Sequence, residues 1–147
     1  MKTKHSMSGT TLIEILIALM IIAALSAIAL PSYQGSVRKS ARAAGRGALM
    51  DVAMRQEQYF INNKAYATAL AGLGLPDPYY IDKTVEPVAE TNDSRVYQLT
   101  LANTSAISYD AVATAVKQQI GDGCGNYTLK SDGSRSVSGT TGNAACW

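Results

Sequence analysis

The chain has 147 residues, 16% of them charged and 47% apolar, with a formal net charge of +2. That is one domain's worth of sequence, and its balance excludes both a disordered polyampholyte and a multipass membrane protein. One histidine and two cysteines cannot make a four-ligand zinc site, and a His-based catalytic triad would rest on His5 alone.

Residues 1–9 carry Lys2, Lys4 and His5 and no acid. From Leu12 to Leu30 the sequence is apolar except for Glu14 and Ser26, and Pro31 follows. As a helix this stretch rises roughly 28 Å at about 1.5 Å per residue, enough to cross a bilayer. A domain this small could hardly bury such a helix, so it reads as inserted in a membrane. A secretory signal has a shorter apolar core, and Ala27 and Ala29 only mimic its cleavage site. Glu14 is the anomaly. A carboxylate near the end of a spanning helix costs about 3 kcal/mol if it enters hydrocarbon, and an anchor has no need of one.

The run Gly9-Thr10-Thr11-Leu12-Ile13-Glu14, between a basic leader and an apolar helix ending at Pro31-Ser32-Tyr33, resembles the class III signal of type IV prepilins. The resemblance implies cleavage between Gly9 and Thr10 by a prepilin peptidase that also N-methylates Thr10. The family usually begins its mature chain with Phe or Met, so Thr10 departs from the pattern. Glu14 falls at the family's fifth mature position, where it is held to neutralise the N-terminal ammonium of a neighbour's Thr10 and so set register. Opposite charges about 4 Å apart attract by about 4 kcal/mol at an effective dielectric near 20. Pro31 matches the family's helix-kinking proline.

Beyond Pro31, Val37, Ala41, Ala44, Ala48 and Val52, then Tyr59 and Phe60, are spaced as on an amphipathic helix reaching about Asn62. Arg38, Lys39, Arg42 and Arg46 read as a solvated face of that helix. Counting these bases would place the C-terminal side in the cytosol. The resemblance implies the opposite: N-terminus cytoplasmic, head periplasmic. Gly45 and Gly47 disfavour a helix interior and suggest close packing against a sheet.

Residues 63–94 hold three of the four prolines and a scatter of acids (Asp77, Asp82, Glu86, Glu90, Asp93) without EF-hand spacing, and read as a long loop. Three strands are expected next. In Val96–Ala102, Tyr97, Leu99 and Leu101 share a face. In Ser108–Gln118, Tyr109, Ala111, Ala113 and Ala115 share one face, and Val112 and Val116 the other. In Asn126–Lys130, Tyr127 and Leu129 alternate with Thr128. Asp132-Gly133 is a hairpin turn leading to a weak fourth strand at Arg135–Ser138. One long helix followed by strands predicts an α+β fold: the type IV pilin fold, a half-hydrophobic helix packed on a small antiparallel sheet.

Placed outside the membrane, Cys124 and Cys146 are expected to bridge. The bridge would close a loop of about 23 residues, worth on the order of 3 kcal/mol. The Cys146-Trp147 ending resembles PilE-like minor pilins of Gram-negative bacteria. The expected divisions are therefore a removable leader (1–9), a transmembrane or filament-core helix (10–31), its amphipathic continuation (32–62), an αβ loop (63–94) and a sheet with the Cys124–Cys146 loop (95–147).

No phosphate-binding loop or nucleophile–base pair is present, so no catalytic, cofactor or metal site is expected. The resemblance implies a subunit of type IV pili acting in twitching motility, adhesion or DNA uptake. It would be held in the inner membrane before joining an extracellular pilus. The implied partners are other pilins, the prepilin peptidase/N-methyltransferase and the pilus assembly machinery. Two alternatives are a DNA-binding competence pilin and a type II secretion pseudopilin. Without Lys2 and Lys4 the chain has 11 basic and 11 acidic residues. That balance favours close packing in a polymer over electrostatic capture of DNA.

Overall fold

A computed structural model describes residues 11–147. Helix α1 spans Leu12–Asn63 and includes Pro31. The chain divides into two compact units, one up to Ser36 and one from Val37 to Trp147. In the first, the apolar 18-residue window of α1 has no buried residue. Leucines and isoleucines such as Leu16, Ile17 and Ile21 are about half exposed. Covering each fully would yield about 1.5–3 kcal/mol, so this stretch needs an apolar environment that the chain itself does not supply.

In the second unit, α1 buries Ala41, Ala44, Gly45, Ala48, Leu49, Val52 and Gln56. Their spacing of three and four puts them on one face. The expected apolar stripe is present, with Leu49 and Gln56 added to it and Tyr59 and Phe60 only half-buried.

Six strands form one antiparallel sheet: β1 (Tyr79–Ile81), β2 (Pro87–Val88), β3 (Tyr97–Ala102), β4 (Asp110–Ala115), β5 (Tyr127–Lys130) and β6 (Arg135–Val137), in the order β2-β1-β3-β4-β5-β6. The register aligns Leu99 with Ala113, and Ala113 with Tyr127. The predicted inward faces are thus adjacent. Tyr97, Leu99, Ala111, Ala113, Tyr127 and Leu129 join the helix alanines in one core.

Two differences from the sequence reading have local causes. The 63–94 segment is not only loop: it holds a 3₁₀ turn at Leu70–Leu73 and the strands β1 and β2. These strands have three and two residues, too short for alternation to show in the sequence. Strand β4 stops at Ala115, well before Gln118, because Lys117 takes φ = 51° and opens a 3₁₀ turn at Lys117–Gln119.

Candidate functional site

Gly9 and Thr10 lie outside the described residues. Glu14 sits in the first turn of α1, and its backbone N–H donates to the Thr11 carbonyl and hydroxyl. It is exposed, like the apolar residues around it. Pro31 is also exposed and lies inside the helix.

Cys124 and Cys146 are bonded to each other and buried, with Cα atoms 5.8 Å apart. Past β6 the chain keeps running beside residues 123–126. Ser138, Gly139 and Thr141 donate N–H groups to the carbonyls of Asn126, Cys124 and Gly123. The approach is so close that a Cβ on Gly139 would collide with the Gly123 backbone. A short helix α2 (Asn143–Cys146) then delivers the second cysteine and Trp147.

The head half of α1 holds this segment at two places and packs on β3 at a third. Arg42 donates two side-chain N–H groups to Asp122, Nε at 2.9 Å and Nη2 at 2.8 Å. Arg46 donates to the Cys146 carbonyl at 3.0 Å. Gly45 lies under the Tyr97 ring, where an added Cβ would stand 2.9 Å from the ring carbons. The basic cluster on this helix is therefore not simply a solvated face, since two of its four members are engaged. The sequence could not show this, because Asp122 is 80 residues away.

The side chain of Asp122 is 0% exposed and that of Arg42 24%. Burial pushes the Asp122 carboxyl up. The Arg42 guanidinium and the Cys124 N–H outweigh that and hold it below its ordinary value.

Most other head cations also have partners. Lys117 meets Asp93 at 2.9 Å, and Lys130 reaches Asp110 at 4.0 Å. Lys64 donates to the Ile61 carbonyl. Two arginines lie over aromatic rings: Arg95, whose Nη1 also donates to the Asn92 carbonyl at 2.8 Å, over Tyr80 at 5.5 Å, and Arg135 over Trp147 at 5.3 Å. The Trp147 indole is fixed in turn by Nε1–H donating to the Ser136 carbonyl and by edge contact with Tyr127. A guanidinium over an aromatic face can still turn its remaining edge N–H groups to an acceptor such as a phosphate oxygen. Two further loop acids are used internally. Asp82 accepts from the Thr84 N–H and hydroxyl and from the Glu86 N–H, and Glu90 accepts from the Tyr80 hydroxyl.

An apolar helix without cover, a helix-on-sheet head and a disulfide-closed last segment together match the type IV pilin fold. The family model described as "Type IV minor pilin ComP, DNA uptake sequence receptor" matches residues 31–128. The chain belongs to this family of type IV minor pilins. The match covers the head half of α1, strands β1–β4, Cys124 and the first two residues of β5, and it stops before β6 and Trp147. No curated protein sequence matches this minor pilin. As a type IV minor pilin it associates with other pilins and with the pilus machinery in the membrane.

Proposed function

We propose that this minor pilin is a receptor for DNA in uptake, presented on a type IV pilus, and is not an enzyme. The carrying observation is the family match, whose description names a DNA uptake sequence receptor. It reverses the preference drawn from net charge. An even balance of 11 and 11 describes the sum over residues 10–147, whereas binding depends on where cations stand free. Arg135 supports the reading, because its guanidinium is held over the Trp147 ring. DNA uptake is favoured over twitching motility, adhesion or secretion because the family description names it.

The test is selection of a random duplex library on the full chain in detergent. The pool should converge on one short sequence, bound at least about tenfold more tightly than a scrambled duplex. Arg135→Ala should make the slope of log affinity against log salt shallower by about 1. A pool that does not converge, or binding indifferent to salt, overturns the proposal.

The assembly residues belong to the same reading. Cleavage after Gly9 leaves Thr10 as an N-methylated first residue, with the N-terminus cytoplasmic and the head periplasmic. Glu14 then pairs with a neighbour's Thr10 ammonium inside the filament, and Pro31 provides the point at which α1 bends. A mature mass beginning at any residue other than Thr10 refutes the processing step. Glu14→Ala should leave the subunit in the membrane fraction and remove it from sheared pili. Unchanged incorporation would refute the pairing.

A further inference from the structure

The head uses only part of the row of bases that follows the apolar half of α1. Arg38, Arg42 and Arg46 recur every four residues and so share one face, with Lys39 next to Arg38 in the chain. Asp122 neutralises Arg42, and Arg46 donates one N–H to the Cys146 carbonyl. Arg38 and Lys39 are exposed, and among the described residues neither has an ion-pair partner. From Ile15 to Met50 the sequence contains no acid. Like charges four apart on a helix repel, and the fold relieves that repulsion only at Arg42.

The place of these bases in the chain points to what meets them. Arg38 follows Leu30, the last residue of the apolar run, by eight positions. Tyr33, between them in the sequence, is 67% exposed. Tyrosine suits the level at which hydrocarbon gives way to headgroups, and lysine and arginine lay an apolar stem along that boundary while the charge stays in water. Bases immediately beyond a spanning helix attract anionic lipid, and the attraction fades within a Debye length. A nucleic acid or a neighbouring head would meet the same charges. Neither accounts for their position directly after an exposed tyrosine and an uncovered apolar run.

We propose that Arg38 and Lys39, extended along the row by Arg46, form a docking surface for the anionic phospholipid headgroups of the membrane that receives the apolar half of α1. Phosphate oxygens accept from the guanidinium and ammonium donors. The proposal rests on membrane insertion of that half and is independent of DNA binding. It gives the unassembled subunit a second, electrostatic hold at the membrane surface. Salt weakens that hold and leaves the apolar anchor in place.

Native mass spectrometry of the full chain in neutral detergent, titrated with phosphatidylglycerol or phosphatidylcholine, tests this. The chain should retain phosphatidylglycerol in preference, and the preference should shrink as the salt is raised. Arg38→Gln combined with Lys39→Gln should raise the dissociation constant for phosphatidylglycerol about fivefold per base, the equivalent of about 1 kcal/mol each. Retention of phosphatidylcholine should not change. Lys83→Gln removes an exposed head base outside the row and should keep the parent's preference. Equal retention of the two lipids, an unchanged preference in the double variant, or an equal loss in Lys83→Gln overturns the proposal. Loss of the double variant from sheared pili, or of its duplex binding, with the lipid preference intact gives the row to another partner and also overturns it.

Discussion

Single residues on α1 set how closely helix and sheet meet. Gly45 and Gly47 look alike in the sequence, and the structure separates them. A Cβ at Gly45 would press on the Tyr97 ring at 2.9 Å, while at Gly47 it would meet Val85 at an ordinary 4.0 Å. Gly45→Ala should therefore destabilise the head by about 1–3 kcal/mol through overpacking. Gly47→Ala, in an exposed helical position, should stabilise it by about 0.5–1 kcal/mol. Chemical denaturation of the two variants side by side checks both signs. Gln56 makes a different point. It is polar yet buried, because its amide donates to the Ala67 carbonyl and accepts from the Ala67 N–H. Those two bonds fasten the 63–94 segment to α1. A hydrophobicity pattern ranks Gln56 as a surface residue, so only the structure finds it.

At the scale of elements, the Arg42–Asp122 pair ties α1 to the turn before Cys124. Arg42→Met would strand a fully buried carboxylate. It should cost about 3 kcal/mol, the low end for a broken buried pair, because Arg42 itself keeps 24% exposure. The pair also gives stability an acid edge. In the folded chain the Asp122 carboxyl is held below its ordinary value. Its contribution is therefore complete above the unfolded value of about 3.9, and it is lost as pH falls through the lower folded value. Acid titration of the unfolding midpoint should show this loss below about pH 4, and Asp122→Asn should flatten the curve there. The same junction explains why β6 tolerates its position at the sheet edge. The Asn143 amide donates to the Arg135 carbonyl and the Trp147 indole N–H to that of Ser136, so the last residues cover part of the edge.

For the whole molecule, the disulfide and the uncovered helix divide the labour. The bridge between Cys124 and Cys146, 22 residues apart, stabilises chiefly by restricting the unfolded chain. Replacing both cysteines by alanine should lower head stability by about 2–5 kcal/mol. It should leave membrane insertion intact, because α1 inserts by its own apolar surface. Denaturation and membrane fractionation of the same variant measure the two effects separately.

Much of this was legible without coordinates because it depends on local pattern. A long apolar run must be a helix that seeks an apolar medium. Alternation in Tyr97–Leu101 and Tyr127–Leu129 must place those side chains on one face. The glycine-to-glutamate spacing before that run marked the pilin resemblance. What pairs across long separations was not legible. Arg42 finds Asp122, Arg46 finds the Cys146 carbonyl, and Gly45 finds Tyr97 only after the sheet has brought the ends of the chain together. Net charge, read along the chain, is a sum and has no geometry. Period and composition are properties of neighbours in sequence, whereas which charges are spent on each other and which remain free is decided by neighbours in space.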